Sequence, residues 1–173
     1  KLCKLIDYAA TIGCSHVQPS VGDDSEIPWI QRACDHAADK EVRLCPQLHD
    51  QTLHDTVANC KQLFERVDRA NFGLNFEASH LILQESELRG GEALKALADK
   101  TFTVCVQNYR RLDGNSVAVL PGDAGGVDFE EIFEAAREIG FDGYVTHMSG
   151  SYPDLDNTTV CKTYVESLRP LMS

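Results

Sequence analysis

The ten residues NFGLNFEASH, at positions 71–80, decide the fold, because an apolar strand-like run ends there in a polar cluster. The part up to Phe76 predicts a β-strand, and the polar residues Glu77 and His80 come soon after it. Polar clusters also follow three other strand-like runs, at 47–50, 105–110 and 146–148. Repeated βα units place their chemistry at the carboxyl ends of parallel strands, so we expect the four clusters to converge if the strands share one barrel.

Amphipathic helical stretches separate the strand-like runs. Strands are predicted at 15–21, 42–49, 71–76, 102–107 and 143–148, and helices at 2–12, 28–40, 52–67, 86–98, 128–140 and 157–168. An excursion before the fifth helix holds a turn at Asp113-Gly114-Asn115, and Asp128 with Glu131 predicts a capping box. Strict alternation of strands and helices predicts a parallel sheet with helical crossovers.

Two α/β architectures accommodate this alternation. Five parallel strands can form a small open doubly wound sheet, but the first helix would then have no sheet partner of its own. The alternative is a partial (β/α)8 TIM barrel that holds about the last five strands. A whole barrel takes about 250 residues, so three strands on roughly 80 to 100 residues would be absent from this sequence. We favour the partial barrel, as a single domain over 1–173.

Composition and charge narrow the classes of partner. The chain has 173 residues and a net charge of −11, which disfavours nucleic acid and anionic membrane surfaces. No apolar run approaches the roughly 20 residues that a membrane-spanning helix needs, and residues 1–7 do not resemble a signal peptide. The seven cysteines form no CxxC pair, which favours reduced thiols and a cytoplasmic location.

Five segments carry a resemblance to a known family, and the first, residues 42–50, resembles a strand that ends in Glu-Asn-His. Residues 72–81 resemble a Gly-Leu-x-x-Asp-x-x-His-Leu strand, and 103–110 resemble a His-x-His-x-Lys-Asp-Tyr-Arg strand. Residues 120–129 resemble a Pro-Gly-x-Gly-x-Val-Asp-Phe loop, and 140–145 a Gly-Tyr-Asp-Gly-Tyr lead into the final strand. Together they resemble the xylose isomerase-like TIM barrels, which include sugar phosphate isomerases and epimerases and the family 2 apurinic endonucleases.

The resemblance implies a metal position that this chain has altered. Enzymes of the family hold Mn²⁺, Mg²⁺ or Zn²⁺ through Glu, Asp, His and Glu, and the matching residues here are Gln47, Glu77, Cys105 and Met148. Only Glu77 is charged, so we expect the usual site for a hard cation to be degenerate and the metal to be absent. The remaining candidate ligands are Glu77, Cys105 and His80, to which His49 could be added in a mixed zinc site.

The resemblance also implies roles for individual side chains. Glu77 and His80 match positions that move protons, and histidine titrates near neutrality, as acid and base chemistry requires. His49, Gln47, Gln107 and Arg110 are the candidates for binding substrate. Instead of binding substrate, Arg110 could form a surface ion pair with a carboxylate. Instead of moving protons, His80 could be a hydrogen-bonded polar residue at the barrel mouth. The role of three loop glycines also stays open. Either they bind a phosphate through their backbone N–H groups or they simply allow positive φ; they are Gly122, Gly125 and Gly126.

Two classes of function follow from the resemblance. The first is a sugar or sugar phosphate isomerase or epimerase of carbohydrate metabolism, acting on a small carbohydrate without the usual metal chemistry. The second is a non-catalytic carbohydrate-binding or regulatory relative of the same fold. A DNA-repair endonuclease ranks last, because it would need several zinc ligands and a basic face. A homo-oligomer is compatible with either of the first two.

Overall fold

The computed structural model describes residues 1–148 and 150–172. Seven α-helices and seven β-strands alternate along most of this range. In chain order they are α1 (Leu2–Thr11), β1 (His16–Val17), α2 (Ile27–Ala38), β2 (Arg43–Leu44), α3 (Val57–Val67), β3 (Leu74–Glu77), α4 (Ala78–Leu83), α5 (Gly90–Ala96), β4 (Thr101–Val106), β5 (Tyr109–Leu112), β6 (Asn115–Ala118), α6 (Phe129–Glu138), β7 (Tyr144–His147) and α7 (Asn157–Leu168).

The strands form parallel sheets and one hairpin. β1 pairs with β2 in parallel, and isolated parallel bridges join Leu44 to Phe72 and Gln47 to Asn75. β4 lies between β3 and β7 in a three-stranded sheet, and β5 and β6 are antiparallel. Among the described residues the strands do not close into a barrel. The α/β partial barrel predicted from the sequence is therefore confirmed.

The chain divides into two compact units. The first comprises Lys1–Phe76 with Asp99–Thr103, and the second Glu77–Ala98 with the residues from Val104 onward. In the first unit the buried faces of α1, α2 and α3 meet the strands, as their helical spacing requires. The core of this unit consists of Ile6, Val21, Ile27, Ile30, Ala33, Cys34, Ala37, Val42, Leu44, Leu63, Val67 and Phe72.

In the second unit α5 and α6 pack closely because α5 has a glycine, Gly91, at the contact with α6. A Cβ on Gly91 would be 3.0 Å from the Cβ of Ala135. Leu94 on α5 and Ile132 on α6 are buried, as is Tyr164 on α7. The side chain of Glu131 accepts a hydrogen bond from the backbone of Gly91 at 2.7 Å, which fixes the start of α5 against α6.

Strict alternation was the wrong expectation at two places. β3 runs into α4 without a loop, and residues 109–118 form a hairpin rather than an irregular excursion. Asp113 and Gly114 have φ values of 49° and 78°, as a two-residue hairpin turn with both central residues at positive φ requires. The helix predicted at 86–98 begins only at Gly90, and the one predicted at 52–67 begins at Val57, where Thr56 caps it.

Only one of the two hydrogen bonds of the predicted capping box forms at the start of α6. Asp128 accepts a hydrogen bond from the backbone N–H of Glu131 at 3.2 Å, but the Glu131 carboxylate turns to Gly91. We expect Asp128→Ala to lower the free energy of unfolding by about 1 kcal/mol, the usual cost of losing an N-cap. Urea unfolding followed by circular dichroism measures this. Asp142→Ala, at an exposed aspartate, is the matched control, and an equal loss in both variants would contradict the capping role.

Candidate active site

Glu77 is the centre of the candidate site in the second unit. It is both the last residue of β3 and the N-cap of α4, and its side chain is 0% exposed. Its Oε1 accepts a hydrogen bond from the backbone N–H of Ser79 at 3.0 Å and another from the Ser79 hydroxyl. Because the strand passes directly into the helix, these two donors fix one carboxylate oxygen and leave the other to face a different partner.

That partner is His80, three residues along the chain. Its Nε2 lies 2.9 Å from Oε2 of Glu77, and both side chains are buried. The distance is that of an ion pair, but Oε2 accepts no well-aligned hydrogen bond from the described residues, so the two atoms are close without the angle of a hydrogen bond. A buried carboxylate oxygen with spare acceptor capacity beside an imidazole can accept a proton and exchange it.

The segment after β4 adds two further groups to this unit, Gln107 and the first residue of β5, Tyr109. Gln107 donates from Nε2 to the hydroxyl of Tyr109 at 3.1 Å. Burial raises the pKa of Tyr109, and the charge of Glu77 raises it further, which places the phenol within the electrostatic reach of that carboxylate. Tyr109 therefore stays a phenol at neutral pH and is a hydrogen-bond donor. No role was predicted for Tyr109 from the sequence, although it directly precedes Arg110, which was predicted to bind substrate.

Cys105 is a neutral thiol. Burial raises its pKa to about 12, and the negative charge of Glu77 acts in the same direction. A metal ion binds the thiolate rather than the thiol, so coordination by Cys105 would require a proton to leave at neutral pH. The prediction that Cys105 ligates a metal stays a prediction, and the electrostatic surroundings disfavour it.

The loop at 119–127 is held by Asn108 and Arg110. Asn108 donates to the carbonyl of Leu120 at 3.0 Å and accepts from the N–H of Val127 at 2.7 Å. A Cβ on Gly126 would come within 2.7 Å of the Asn108 amide nitrogen, so the loop can pack here only with glycine. Arg110 donates to the carbonyl of Ala124 at 3.0 Å. These contacts give Gly126 a packing role, while Gly122 and Gly125 have positive φ values of 89° and 80°. Substrate binding by Arg110 stays a prediction.

Three amide side chains join in a chain at the strand ends of the first unit. Asn75 donates from Nδ2 to Oε1 of Gln18 at 3.1 Å, and Gln18 donates from Nε2 to Oε1 of Gln47 at 3.0 Å. We call Gln18, Gln47 and Asn75 the amide triad. Gln47 and Asn75 are each only 5% exposed, yet Nε2 of Gln47 and Oδ1 of Asn75 have no hydrogen-bond partner among the described residues. Each such buried atom costs about 1–3 kcal/mol unless something pairs with it.

Two histidines of the first unit differ in their surroundings. His49 was a predicted substrate ligand, and its Nδ1 lies 2.8 Å from the carboxylate of Asp50. His54 is 2% exposed, and its Nδ1 lies 3.1 Å from the hydroxyl of Thr52. Burial lowers the pKa of His54 from the ordinary 6.5 to about 4, so this imidazole is neutral at pH 7.

The buried His54 makes stability depend on pH. Between pH 6.5 and pH 4 the unfolded chain binds a proton at this histidine that the folded chain does not, so the free energy of unfolding falls as the pH falls through this window. The loss from this group is on the order of 3 kcal/mol. We expect His54→Phe to flatten the pH dependence, as measured by urea unfolding at pH 7.0, 5.5 and 4.5. His36→Gln, at the histidine beside Asp7, is the control; a wild-type slope in His54→Phe would contradict this role.

The comparison with known families decides the affiliation. A sequence profile described as the xylose isomerase-like TIM barrel matches residues 1–171. The chain belongs to the xylose isomerase-like TIM barrel family. A search of the curated proteins finds no match.

Solved structures of the xylose isomerase-like family share this fold at low sequence identity. A xylose isomerase domain protein from Planctomyces limnophilus is 19% identical with a TM-score of 0.79, over 98% of this chain and 62% of its own. An L-ribulose 3-epimerase is 17% identical with a TM-score of 0.76, over 99% and 65%. The IOLI protein, with a bound zinc atom, is 19% identical with a TM-score of 0.76, over 99% and 68%. The chain thus spans less than two thirds of the length of the first two of these proteins.

The family's metal position can be tested against the side chains present. Gln47 has its carbonyl oxygen engaged by Gln18, Cys105 is a neutral thiol, and Met148 offers a thioether on a residue that is 42% exposed. Hard cations require several anionic oxygen ligands, and of these positions only Glu77 supplies one. The loss of the usual Mn²⁺ or Mg²⁺ site, expected from the family resemblance, stays a prediction that this ligand chemistry favours. The mixed zinc set of His49, Glu77, His80 and Cys105 is divided between the two units and stays a prediction.

Within 1–148 and 150–172, no helix combines the length and the apolar character needed to cross a bilayer.

Proposed function

We propose that this member of the xylose isomerase-like family is an isomerase or epimerase of a small neutral carbohydrate, and that Glu77 and His80 move the proton without a hard divalent cation. The observation that carries the proposal is the buried Glu77 carboxylate. Ser79 fixes its Oε1, while Oε2 faces Nε2 of His80 at 2.9 Å. A fixed, water-excluded carboxylate at a strand end is suited to general base catalysis.

The proposed chemistry is proton transfer next to a carbonyl group. Oε2 of Glu77 takes the proton from the carbon beside the carbonyl, and the bonding electrons form an enediolate. A proton delivered from solvent to the opposite face of the same carbon, while Glu77 keeps the one it removed, gives an epimer. Return of the proton to the neighbouring carbon gives an isomer when the hydroxyl proton on the first carbon passes to the oxygen of the former carbonyl, so that a new carbonyl forms and atoms and electrons balance. His80 exchanges the proton held by Glu77, because its Nε2 lies 2.9 Å from Oε2.

Tyr109 is proposed to stabilise the charge that develops on the substrate oxygen. Its raised pKa keeps the phenol protonated, and the hydrogen bond from Gln107 fixes the position of its oxygen. A preorganised donor aimed at a developing oxyanion lowers the barrier more than it strengthens substrate binding. Gln107 thereby acts by positioning Tyr109. A substrate contact from Arg110 remains a proposal taken from the family, and the roles of His49 and Gln47, which belong to the other unit, stay predictions.

The experiment is a conversion assay with neutral ketohexoses. Purified protein is incubated with D-fructose, D-tagatose and D-allulose, with and without EDTA, and products are identified by chromatography and ¹³C NMR. We expect an epimer or an aldose from at least one ketose, at the same rate with EDTA present. Conversion that requires added Mn²⁺ or Mg²⁺ would contradict the metal-free route. Binding without conversion would support a non-catalytic carbohydrate-binding protein instead.

A further inference from the structure

The amide triad of Gln18, Gln47 and Asn75 has one donor atom and one acceptor atom without a partner among the described residues. We propose that it forms a metal-free subsite that binds one hydroxyl group of a neutral polyol or sugar. The two spare atoms are Nε2 of Gln47 and Oδ1 of Asn75, both buried and without a partner among the described residues. They belong to side chains that are otherwise hydrogen-bonded to each other through Gln18.

The count of spare atoms does not depend on how each amide is oriented. Each amide group has a carbonyl oxygen that accepts and an NH₂ group that donates. A linear chain of three amides uses both ends of the middle group and one end of each outer group. Reversing all three exchanges the roles of the outer residues, but one outer residue still offers a donor and the other an acceptor. The chemistry offered to a ligand is therefore the same in both directions.

This pairing selects the chemical class of the ligand. A hydroxyl group donates one hydrogen bond and accepts others, so a single hydroxyl can satisfy both ends of the triad. A carboxylate or phosphate oxygen only accepts and would face the spare carbonyl without a proton to share. An ammonium group only donates and would face the spare NH₂. Because both outer residues are 95% buried, a charged ligand would also lose hydration without gaining a countercharge from the triad.

The backbone holds the two outer amides at a fixed separation. Gln47 and Asn75 are partners in a parallel bridge. The N–H of Leu48 donates to the carbonyl of Asn75 at 2.9 Å, and the N–H of Asn75 donates to the carbonyl of Pro46 at 2.9 Å. A site fixed by sheet hydrogen bonds needs little ordering when a ligand arrives, so less binding free energy is lost to it.

The triad also explains what replaces the family's metal ligand at position 47. A buried glutamate there would be an anion, and a cation would be needed to offset its charge. With Gln47 the position becomes neutral and is tied to Gln18 at 3.0 Å. The substitution therefore changes the position from binding a cation to binding a hydroxyl group.

The test compares a neutral and an anionic ligand of the same carbon skeleton. D-glucitol and D-gluconate are titrated into the purified protein by isothermal titration calorimetry at pH 7.5 with EDTA present. The choice of polyols rests on the proposed function, whereas the preference for the neutral ligand rests on the triad alone. We expect D-glucitol to bind at least tenfold more tightly than D-gluconate.

Two variants and one control assign the preference to the triad. Gln47→Met keeps the length of the side chain and removes both amide atoms, and Gln47→Glu keeps its shape if the first variant fails to fold. Each should weaken D-glucitol binding at least tenfold, while Gln62→Met, on the exposed face of α3, should leave it unchanged.

Several outcomes overturn the subsite. They are equal binding of the two ligands, binding of neither, and unchanged D-glucitol binding in both Gln47 variants. If ketoses are converted under any of these outcomes, the proposed function stands and the subsite alone fails. If no ketose is converted but the triad still selects D-glucitol, the subsite stands and the proposed function alone fails.

Discussion

Replacing Glu77 by Gln is expected to lower the rate of ketose conversion by roughly 10²–10⁴-fold, the usual contribution of a general base. The amide has almost the same shape as the carboxylate and can still accept the hydrogen bond from the backbone of Ser79, now 3.0 Å from Oε1. It cannot accept a proton at neutral pH. We therefore expect kcat to fall while KM changes little, because the loss is confined to the transition state.

Two further variants separate the chemistry from the positioning of the carboxylate. Ser79→Ala removes the hydroxyl donor to Oε1 but keeps the backbone donor, so we expect a smaller loss in kcat than in Glu77→Gln. Glu166→Gln makes the same substitution at an exposed position on α7 and should leave kcat unchanged. A loss below threefold in Glu77→Gln would contradict the role of Glu77 as the base.

Replacing Gly73 by Ala is expected to lower the free energy of unfolding by about 3 kcal/mol, at the upper end for overpacking in a core. A Cβ on this residue would press against the backbone carbonyl of Lys100 and lie 2.6 Å from Cε2 of Phe102. Both neighbours belong to the same compact unit as Gly73. The carbonyl cannot rotate away as a flexible side chain could, so the strand would have to shift.

Gly22→Ala is the matched control for this substitution. Gly22 lies in the same unit, and a Cβ there would meet only Oε2 of Glu26, at an ordinary 3.6 Å. Urea unfolding of both variants measures the difference. A loss of less than about 1 kcal/mol in Gly73→Ala, or an equal loss in both, would contradict the close packing of Gly73 against residues 99–103.

Elements with local signals were predictable from the sequence. The predicted helix 157–168 coincides with α7, Asn157–Leu168, and Asp156 caps it by accepting from the N–H of Thr159 at 3.0 Å. Asp128 likewise marks the start of α6. Caps and helical spacing are encoded within a few residues, which is why single positions sufficed.

Elements that depend on tertiary contacts were not predictable. The predicted strand 15–21 is only two residues long in the structure, because a ladder requires a partner strand in register and the sequence does not show where pairing stops. α4 was missed because the helix has only six residues and its cap, Glu77, also ends a strand. The turn of the hairpin at 109–118 was predicted, but its two strands were not, because strict alternation of parallel strands and helices does not include an antiparallel pair.

The candidate site divides in the same way. The family resemblance led to Glu77 and His80, and the structure places their side chains 2.9 Å apart. The family resemblance did not lead to Gln18 or Asn75, whose hydrogen bond joins residues 57 positions apart in the chain. Nothing local marks such a pair, although a polar asparagine between buried Leu74 and Phe76 was the one available signal.

Solvent hydrogen exchange is the measurement that tests the central claim most directly. The protein is treated with EDTA and dialysed into D₂O, and ¹H NMR follows deuterium entering the ketose at the carbon beside its carbonyl. If Glu77 transfers the proton without a hard cation, the EDTA-treated protein should catalyse deuterium entry at a rate within twofold of that of the untreated protein. The Glu77→Gln variant should catalyse no deuterium entry. Exchange that disappears on chelation and returns with Mn²⁺ or Mg²⁺ would contradict metal-free proton transfer.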